Sequence, residues 1–128
     1  MKIFITGVAG FLGSHLADLM ISQGHSVAGN DNMIGGYTDN VPQDVEFHQV
    51  DCCDLENMTK AMEGCDIVYH TAATAYEGLS VFSPVLVTRN IFEASVTTIT
   101  AAIRNKVKRI VYCSSMARYG HHDKLPYE

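Results

Sequence analysis

Three glycines are spaced at intervals of three residues in the run TGVAGFLG, which follows a short apolar segment and precedes a helix-like one. Gly7 allows a sharp turn after a strand, Gly10 allows the backbone to approach an anion, and Gly13 allows a helix to pack close to a sheet. The N-terminus of the helix then offers unpaired N–H groups and a partial positive charge. This turn predicts a binding site for the pyrophosphate of a dinucleotide.

An aspartate follows the second predicted strand, His25–Asn30. Asp31 lies 18 positions after Gly13, close to where a carboxylate holds the ribose hydroxyls of a bound dinucleotide. Its negative charge would repel a 2′-phosphate, which favours NAD over NADP. Taken alone, Asp31 is equally well interpreted as a turn residue of the DNMIGG loop, because Asp and Asn favour turns. The glycine turn upstream favours the ribose interpretation.

Two further strand ends carry candidate binding residues, because ligands of open parallel sheets lie outside the carboxyl ends of the strands. Asp51 could accept a hydrogen bond from an adenine amino group, and a helix cap or a surface aspartate explains it equally well. The small residues Thr71–Ala73 would let a dinucleotide lie against the backbone, and tight packing of strand against helix is an equal alternative. His70 is interpreted as a structural, hydrogen-bonded histidine.

These residues need an alternating series of strands and helices to position them. Strands are predicted at Lys2–Ile5, His25–Asn30, Val45–Val50, Asp66–His70 and Val107–Cys113. Helices are predicted after Gly10 with a stop at Gly24, at Leu55–Met62 behind an Asp54 cap, and at Pro84–Asn105. Strands alternating with helices indicate a parallel sheet that is covered on both faces.

Composition bounds the class of protein. The chain has 128 residues and a formal net charge of −5, which favours one domain and makes nucleic acid an unexpected partner. We find no apolar run long enough for a bilayer and no signal peptide, so we expect a cytoplasmic protein. The four cysteines, expected at buried or half-buried positions, form no CxxC pair and fit a reducing compartment. His121-His122-Asp123 lacks a nearby third ligand, so no metal is expected.

Five motifs in order carry a family resemblance, namely TGVAGFLGSHL, Asp31-Asn32, Asp51, HTAA and VKRIVYCSSMARYG. From Met1 to Glu128 the chain resembles the extended short-chain dehydrogenase/reductases, and among them the NAD-dependent sugar-nucleotide epimerase/dehydratase branch. The resemblance implies a Rossmann-like, doubly wound parallel α/β sheet of at least five strands with helices on both faces. It also implies tightly held NAD, a nucleotide-sugar substrate and a homodimer in the full-length form.

The resemblance also assigns roles by position. It implies that the pyrophosphate is contacted by Gly7, Gly10, Phe11, Leu12 and Gly13, and the adenosine ribose by Asp31 and Asn32. The adenine contact would be Asp51 and Cys52. Thr71, Ala72 and Ala73 would form the cofactor wall at the end of the fourth strand, and Asn90 would lie near the nicotinamide side. Ser115 matches the catalytic serine of the S-x-x-x-YG element, with Ser114 a weaker candidate. The alternative is that both serines only turn the chain after the fifth strand.

In that family a sugar carbon is transiently oxidised by NAD, a tyrosine takes the hydroxyl proton, and the serine hydrogen-bonds the reacting oxygen. The tyrosine belongs to a YxxxK element, and Tyr112, Tyr119 and Tyr127 are not followed by Lys four positions later. We therefore expect residues 1–128 to be the N-terminal part of an NAD-binding domain, inactive alone, with the substrate domain and the YxxxK segment outside it.

Further departures from the family pattern are Ile91–Ala94 in place of the usual glycine and threonine, and Arg118 in place of an apolar residue.

Two alternatives to the epimerase or dehydratase stay open. One is a non-catalytic NAD-binding module, and the other is a related reductase of a non-sugar substrate. The apolar stripe of Pro84–Asn105 (Phe92, Val96, Ile99 and Ile103) either builds a dimer or faces the sheet.

Overall fold

Strands and helices alternate along the chain as the apolar pattern predicts. A computed structural model describes residues 1–76 and 78–120, so His121, His122, Asp123 and Tyr127 lie outside the described residues. The strands are β1 (Lys2–Thr6), β2 (Ser26–Asn30), β3 (Val45–His48), β4 (Ile67–His70) and β5 (Arg109–Tyr112). The helices are α1 (Phe11–Ser22), α2 (Leu55–Ala61), α3 (Leu79–Phe82), α4 (Pro84–Thr88) and α5 (Ala94–Arg104). Short 3₁₀ turns occur at Thr38–Asn40 and Met116–Tyr119.

The five strands form one parallel sheet in the order β3-β2-β1-β4-β5. After β3 the chain crosses back past β1 to add β4 and then β5 on the other side. The winding direction therefore reverses between β1 and β4, and a crevice opens at the carboxyl ends of the strands at such a reversal. The predicted doubly wound α/β fold is confirmed.

Both faces of the sheet are buried, and β1 shows how one strand supplies both. Ile3 and Ile5 pack on the α1 side with Ala17 and Met20. Phe4 points the other way and packs among α2 and α5 residues such as Met58. Each fully buried side chain of this size stabilises the fold by about 1.5–3 kcal/mol, so the centre of the sheet is fixed from both sides.

The ends of two helices follow their predicted signals. The Asp54 carboxylate accepts the Asn57 N–H at 3.1 Å and caps α2. Helix α1 stops before Gly24, which has φ +78° and so takes the left-handed conformation that closes many helices. The Asp54 cap fixes the start of α2 and with it the loop after β3, which reaches the crevice with Asp51 and Cys52.

The predicted helix Pro84–Asn105 consists of α4, a π-helical turn at Arg89–Glu93, and α5. Its apolar stripe does not face the sheet, since Phe92 is 67% exposed and Ile103 is 70% exposed. The residues of α5 that pack inward are small: Ala94, Ser95, Thr98, Ala101 and Ala102. Small side chains let α5 lie close to the sheet and leave the larger apolar ones outside.

All four cysteines are free. Cys52 and Cys65 are buried and Cys53 is half-buried, as predicted. Cys113 is exposed, which corrects the expectation that it is buried or half-buried. It follows β5, which lies at the edge of the sheet, and the described residues leave it uncovered.

His70 is the buried polar centre of β4, 3% exposed. Its Nδ1 lies 2.8 Å from Thr6 Oγ1 and its Nε2 lies 3.0 Å from Ser95 Oγ. Ser95 donates its own proton to the Ile91 carbonyl, so Nε2 carries the ring proton and Nδ1 accepts from Thr6. Burial lowers the pKa of His70 to about 4. The prediction that His70 is a hydrogen-bonded histidine is confirmed.

The depressed pKa of His70 gives a prediction for stability against pH. An unfolded histidine binds a proton near pH 6.5, so between pH 6.5 and 4 the unfolded chain binds more protons than the folded one. The free energy of unfolding should therefore fall as pH falls through this range, by about 3 kcal/mol from this group. His70→Asn should be less stable at pH 7.5 and should lack this part of the acid sensitivity in urea titrations. The exposed-site control His15→Gln should keep the wild-type profile, and parallel profiles for His70→Asn and wild type would contradict the assignment.

Candidate functional site

The turn between β1 and α1 is built so closely that side chains do not fit in it. Gly7 has φ +70°, and a Cβ there would lie 2.9 Å from the Cα of Ala72. A Cβ on Gly13 would overlap the carbonyl of Gly7. Real Cβ atoms do not approach backbone this closely, so both positions require glycine. The turn therefore brings β1, α1 and the end of β4 into direct backbone contact.

The N-terminus of α1 is left open toward solvent. Gly10 is its N-cap residue, no side-chain hydrogen bond caps it among the described residues, and its first turn holds no acidic side chain. The first N–H groups of a helix have no partner inside the helix. Those of Phe11, Leu12 and Gly13 therefore supply hydrogen-bond donors and a partial positive charge suited to an anion.

An open crevice of about 390 Å³ lies at the carboxyl ends of the strands. Its lining includes eleven of the sequence-predicted residues: Gly7, Gly10, Phe11, Asp31, Asn32, Asp51, Cys52, Thr71, Ala72, Ala73 and Asn90. The described lining does not include Leu12, Gly13 or Ser115. Leu12 is half exposed, and Gly13 is buried against the turn. The fold thus brings residues from five separate stretches of sequence to one place.

Asp31 lies at the end of β2, 8% exposed. One carboxylate oxygen accepts the Ala9 N–H at 3.2 Å, and the other accepts the Met33 N–H at 2.8 Å. Gly36 passes so near that a Cβ there would lie 2.9 Å from Oδ2 of Asp31. The side chain therefore does serve the turn, as the alternative proposed, and it also lines the crevice. A carboxylate has about four acceptor positions, so two remain for hydroxyl groups.

Asp51 follows β3 and is held from three sides. Its Oδ1 accepts the Cys53 N–H at 2.8 Å, while its Oδ2 lies 3.1 Å from Arg89 Nη1 and 3.5 Å from Asn32 Nδ2. Burial alone would raise the pKa of Asp51, but these hydrogen bonds outweigh burial and lower it. Asp51 is therefore an ionised acceptor at the crevice. It does not cap α2, because Asp54 does.

The end of β4 is fixed to the end of β1 by Thr6. Its hydroxyl oxygen accepts the N–H groups of Thr71 and Ala72, each at 3.1 Å. Thr71 in return donates its hydroxyl to the Thr6 carbonyl. The small residues at this strand end therefore serve both purposes considered above, close packing on β1 and an unobstructed wall for a ligand.

Asn90 projects to the crevice from the π-helical turn. Its Nδ2 donates to Thr74 Oγ1 at 3.0 Å, and its Oδ1 lies 3.4 Å from Arg89 Nη1. Insertions of this kind into a helix often occur at functional sites, because they reorient successive side chains. The predicted departure from the family at Ile91–Ala94 coincides with this turn.

The thiols of Cys52, which lines the crevice, and of its neighbour Cys53 are unsuited to nucleophilic chemistry. Burial raises the pKa of Cys52. Burial and the nearby Asp51 charge raise the pKa of Cys53 to about 11. Both side chains therefore stay protonated near neutral pH. Since the thiolate is the reactive form of cysteine, neither is a good nucleophile. Cys52 serves instead as a small buried group that accepts a hydrogen bond from Asn30 Nδ2 at 3.3 Å.

Sequence reasoning did not identify several crevice residues, among them Asn30, Thr74 and Gly36. Asn30 is fully buried, and its Oδ1 has no hydrogen-bond partner among the described residues. A polar side chain directly after the apolar run Val27–Gly29 was the available signal for it. Arg89 was missed because its role depends on a contact with Asp51, 38 positions away.

Ser115 is exposed and lies on the segment that follows β5. In the sheet, β5 is the neighbour of β4. Its carbonyl accepts the Arg118 N–H at 3.3 Å, which starts the 3₁₀ turn Met116–Tyr119. The carboxyl end of β5 thus brings Ser115 to the same edge of the sheet as the crevice. Whether it acts on a substrate stays a prediction.

Taken together, the donors and acceptors at the crevice fit a dinucleotide. The side-chain-free turn and the open helix end suit a pyrophosphate, and Asp31 and Asp51 are acceptors at the ends of β2 and β3. Residues 1–76 and 78–120 contain no group of three or more His, Cys, Asp or Glu that could hold a metal ion. Within the same ranges, no helix is long and apolar enough to cross a membrane.

Comparison with known proteins gives consistent matches along the chain. A sequence model of the NAD dependent epimerase/dehydratase family matches residues 3–128. A protein described as probable UDP-arabinose 4-epimerase 3, from Arabidopsis thaliana, is 32% identical over 97% of this chain and 33% of its own length.

Solved structures agree. UDP-glucose 4-epimerase from Thermotoga maritima, solved with UDP-glucose, matches with a TM-score of 0.93 and 30% identity, covering 98% of this chain and 41% of its own. UDP-glucose 4-epimerase from Brucella ovis, in complex with NAD, matches with a TM-score of 0.93 and 31% identity, covering 98% and 39%. This chain spans about a third to two fifths of the length of these relatives.

Proposed function

This chain belongs to the NAD-dependent epimerase/dehydratase family, and from that premise we propose that it holds NAD in the crevice as the cofactor-binding part of a nucleotide-sugar epimerase. The observation that carries the proposal is the glycine turn at the open N-terminus of α1, with the Asp31 carboxylate beside it, where Oδ2 accepts the Ala9 N–H. The relatives named as 4-epimerases of UDP-sugars support a substrate of that class.

Different chemical groups of NAD would be held by different parts of the crevice. The N–H groups at the start of α1 would bind the pyrophosphate, and Asp31 would accept the hydroxyls of the adenosine ribose. Asp51 would accept the adenine amino group. Thr71–Ala73 would form the wall along which the molecule lies, and Asn90 would lie toward the nicotinamide side.

The chemistry would be a reversible oxidation of the sugar. Bound NAD supplies an acceptor for a hydride from a sugar carbon. In this proposal Ser115 hydrogen-bonds the reacting sugar oxygen, for which a short uncharged hydroxyl is suited. The tyrosine and lysine of a YxxxK element would complete proton transfer, and this sequence contains no such element.

We also propose that the full-length protein is a homodimer. The helical segment 82–103 carries seven exposed large apolar side chains: Phe82, Val85, Leu86, Phe92, Val96, Ile99 and Ile103. Exposed apolar side chains concentrated on one helical segment in this way favour an interaction site. A second copy of the same helix could cover it by packing face to face.

A negative charge at the glycine turn should abolish the binding of NAD. Gly10 lines the crevice, and the only described atom that its Cβ would crowd is the Gly7 carbonyl oxygen, at 3.2 Å. The fold should therefore tolerate Gly10→Asp. A carboxylate facing the pyrophosphate should weaken NAD by at least about 100-fold in calorimetry, since like charges in contact cost several kcal/mol. Ser26→Asp adds the same charge at the opposite end of the strands and should leave affinity unchanged. Unaltered affinity in Gly10→Asp would overturn the assignment of the turn.

Asp31 should set the preference for NAD over NADP. Removing the charge-assisted hydrogen bonds in Asp31→Ala should weaken NAD by about 10- to 100-fold and relax discrimination against NADP. Asp31→Asn keeps the size of the side chain, but its single oxygen can accept only one of the two loop N–H groups. Comparing it with Asp31→Ala therefore separates loss of charge from loss of the whole side chain. Calorimetry with both nucleotides gives the ratio of the two dissociation constants. An unchanged ratio in both variants would remove Asp31 from the ribose site.

The exposed apolar face gives a prediction for assembly. Sedimentation at high protein concentration should detect a dimer, and Phe92→Asp should raise its dissociation constant by about 30-fold or more, as expected for a central aromatic side chain. Leu19→Asp makes a comparable change on the exposed side of α1 and should leave the dimer intact. A monomer at every concentration would exclude this interface for the chain.

A further inference from the structure

Arg89 is joined to the crevice by a chain of polar contacts, although the described crevice lining does not include it. Asn32, Asp51, Arg89, Asn90 and Thr74 follow one another with heavy-atom distances of 3.5, 3.1, 3.4 and 3.0 Å. The other four members all line the crevice. Arg89 is thus the link that connects the β3 end of the crevice with the π-helical turn.

The contacts of Asp51 leave it a defined acceptor capacity. A carboxylate has about four acceptor positions. Cys53 N–H takes one on Oδ1, and Arg89 Nη1 and Asn32 Nδ2 take two on Oδ2. One position stays for a ligand. The hydrogen bond from Cys53 fixes Oδ1 only. The position of Oδ2 is set mainly by Arg89 at 3.1 Å, because Asn32 is more distant at 3.5 Å.

We propose that Arg89 is a positioning residue of the adenine subsite, which orients the Asp51 carboxylate so that its remaining acceptor position meets the amino group of a purine. This inference rests on the proposed function, since it takes the crevice to bind NAD with its adenine at Asp51. Arg89 acts through Asp51, because its guanidinium is partly exposed, with 44% of the side chain accessible, and lies outside the lining.

The chemistry of the base supplies the readout. Adenine presents an N–H donor at its amino group, whereas hypoxanthine presents a carbonyl oxygen in the same place. A correctly oriented carboxylate accepts from the amino group and faces the hypoxanthine oxygen acceptor to acceptor. Base-edge contacts of this kind discriminate by about tenfold or more. A loosened carboxylate turns away, and the discrimination falls.

The test measures the dissociation constants of NAD and of its hypoxanthine analogue by calorimetry, using the 128-residue chain. Wild type should prefer NAD by about tenfold or more. Asp51→Ala should bring the ratio near one, Arg89→Ala should bring it below about threefold, and the double variant should show no further loss.

Arg89→Lys keeps a cation but not the planar guanidinium, so it should restore part of the preference for NAD. Arg104→Ala removes an exposed arginine at the far end of α5 and should keep the wild-type ratio.

The ratio separates positioning from a purely structural role, since a general loss of stability weakens both nucleotides alike. If Asp51→Ala removes the preference and Arg89→Ala keeps it, the inference about Arg89 is overturned while the proposed function stands. If neither variant changes the ratio and NAD still binds, both the Arg89 inference and the adenine role of Asp51 are overturned. If wild type binds no NAD, the proposed function itself fails, and this inference fails with it.

Discussion

The buried hydroxyl of Thr6 is the contact on which the crevice depends. It donates to His70 and accepts the N–H groups of Thr71 and Ala72, so its proton and both lone pairs are used. Because Gly7 follows directly and packs against Ala72, the same contact fixes the distance between β1 and β4. The floor and one wall of the crevice therefore depend on a single side chain at the end of the central strand.

Charge and polarity around the crevice divide into two parts. The start of α1 supplies N–H donors and partial positive charge, whereas the ends of β2 and β3 supply the carboxylates Asp31 and Asp51. An anionic group flanked by hydroxyl and amino groups suits this arrangement. The π-helical turn at Arg89–Glu93 adds Asn90 and the ion pair between Arg89 and Asp51, so the helical side of the crevice takes part in the same network.

Much of this could be predicted from the sequence, because local signals were strong. Glycine spacing, apolar runs and an Asp cap predicted the strands, the first helix and α2 to within two residues, and the five-strand parallel sheet followed from their alternation. The direction of the stripe in α5 could not be predicted, since a helical period does not reveal which face packs inward. That choice depends on the small residues Ala94, Thr98 and Ala101 meeting the sheet. The ion pair between Arg89 and Asp51 and the orphaned Asn30 Oδ1 depend on contacts between distant segments, which no local pattern encodes.

The pairing of β1 with β4 joins residues 64 positions apart. Strands β1, β2 and β3 can pair through shorter loops, and closing the longer loop costs additional chain entropy. The crevice exists only after β4 has docked, so partly folded chains lacking that strand have no binding site. A ligand of the crevice therefore binds the sheet only once β4 has been added, and by mass action it stabilises that state against chains in which β4 has not docked.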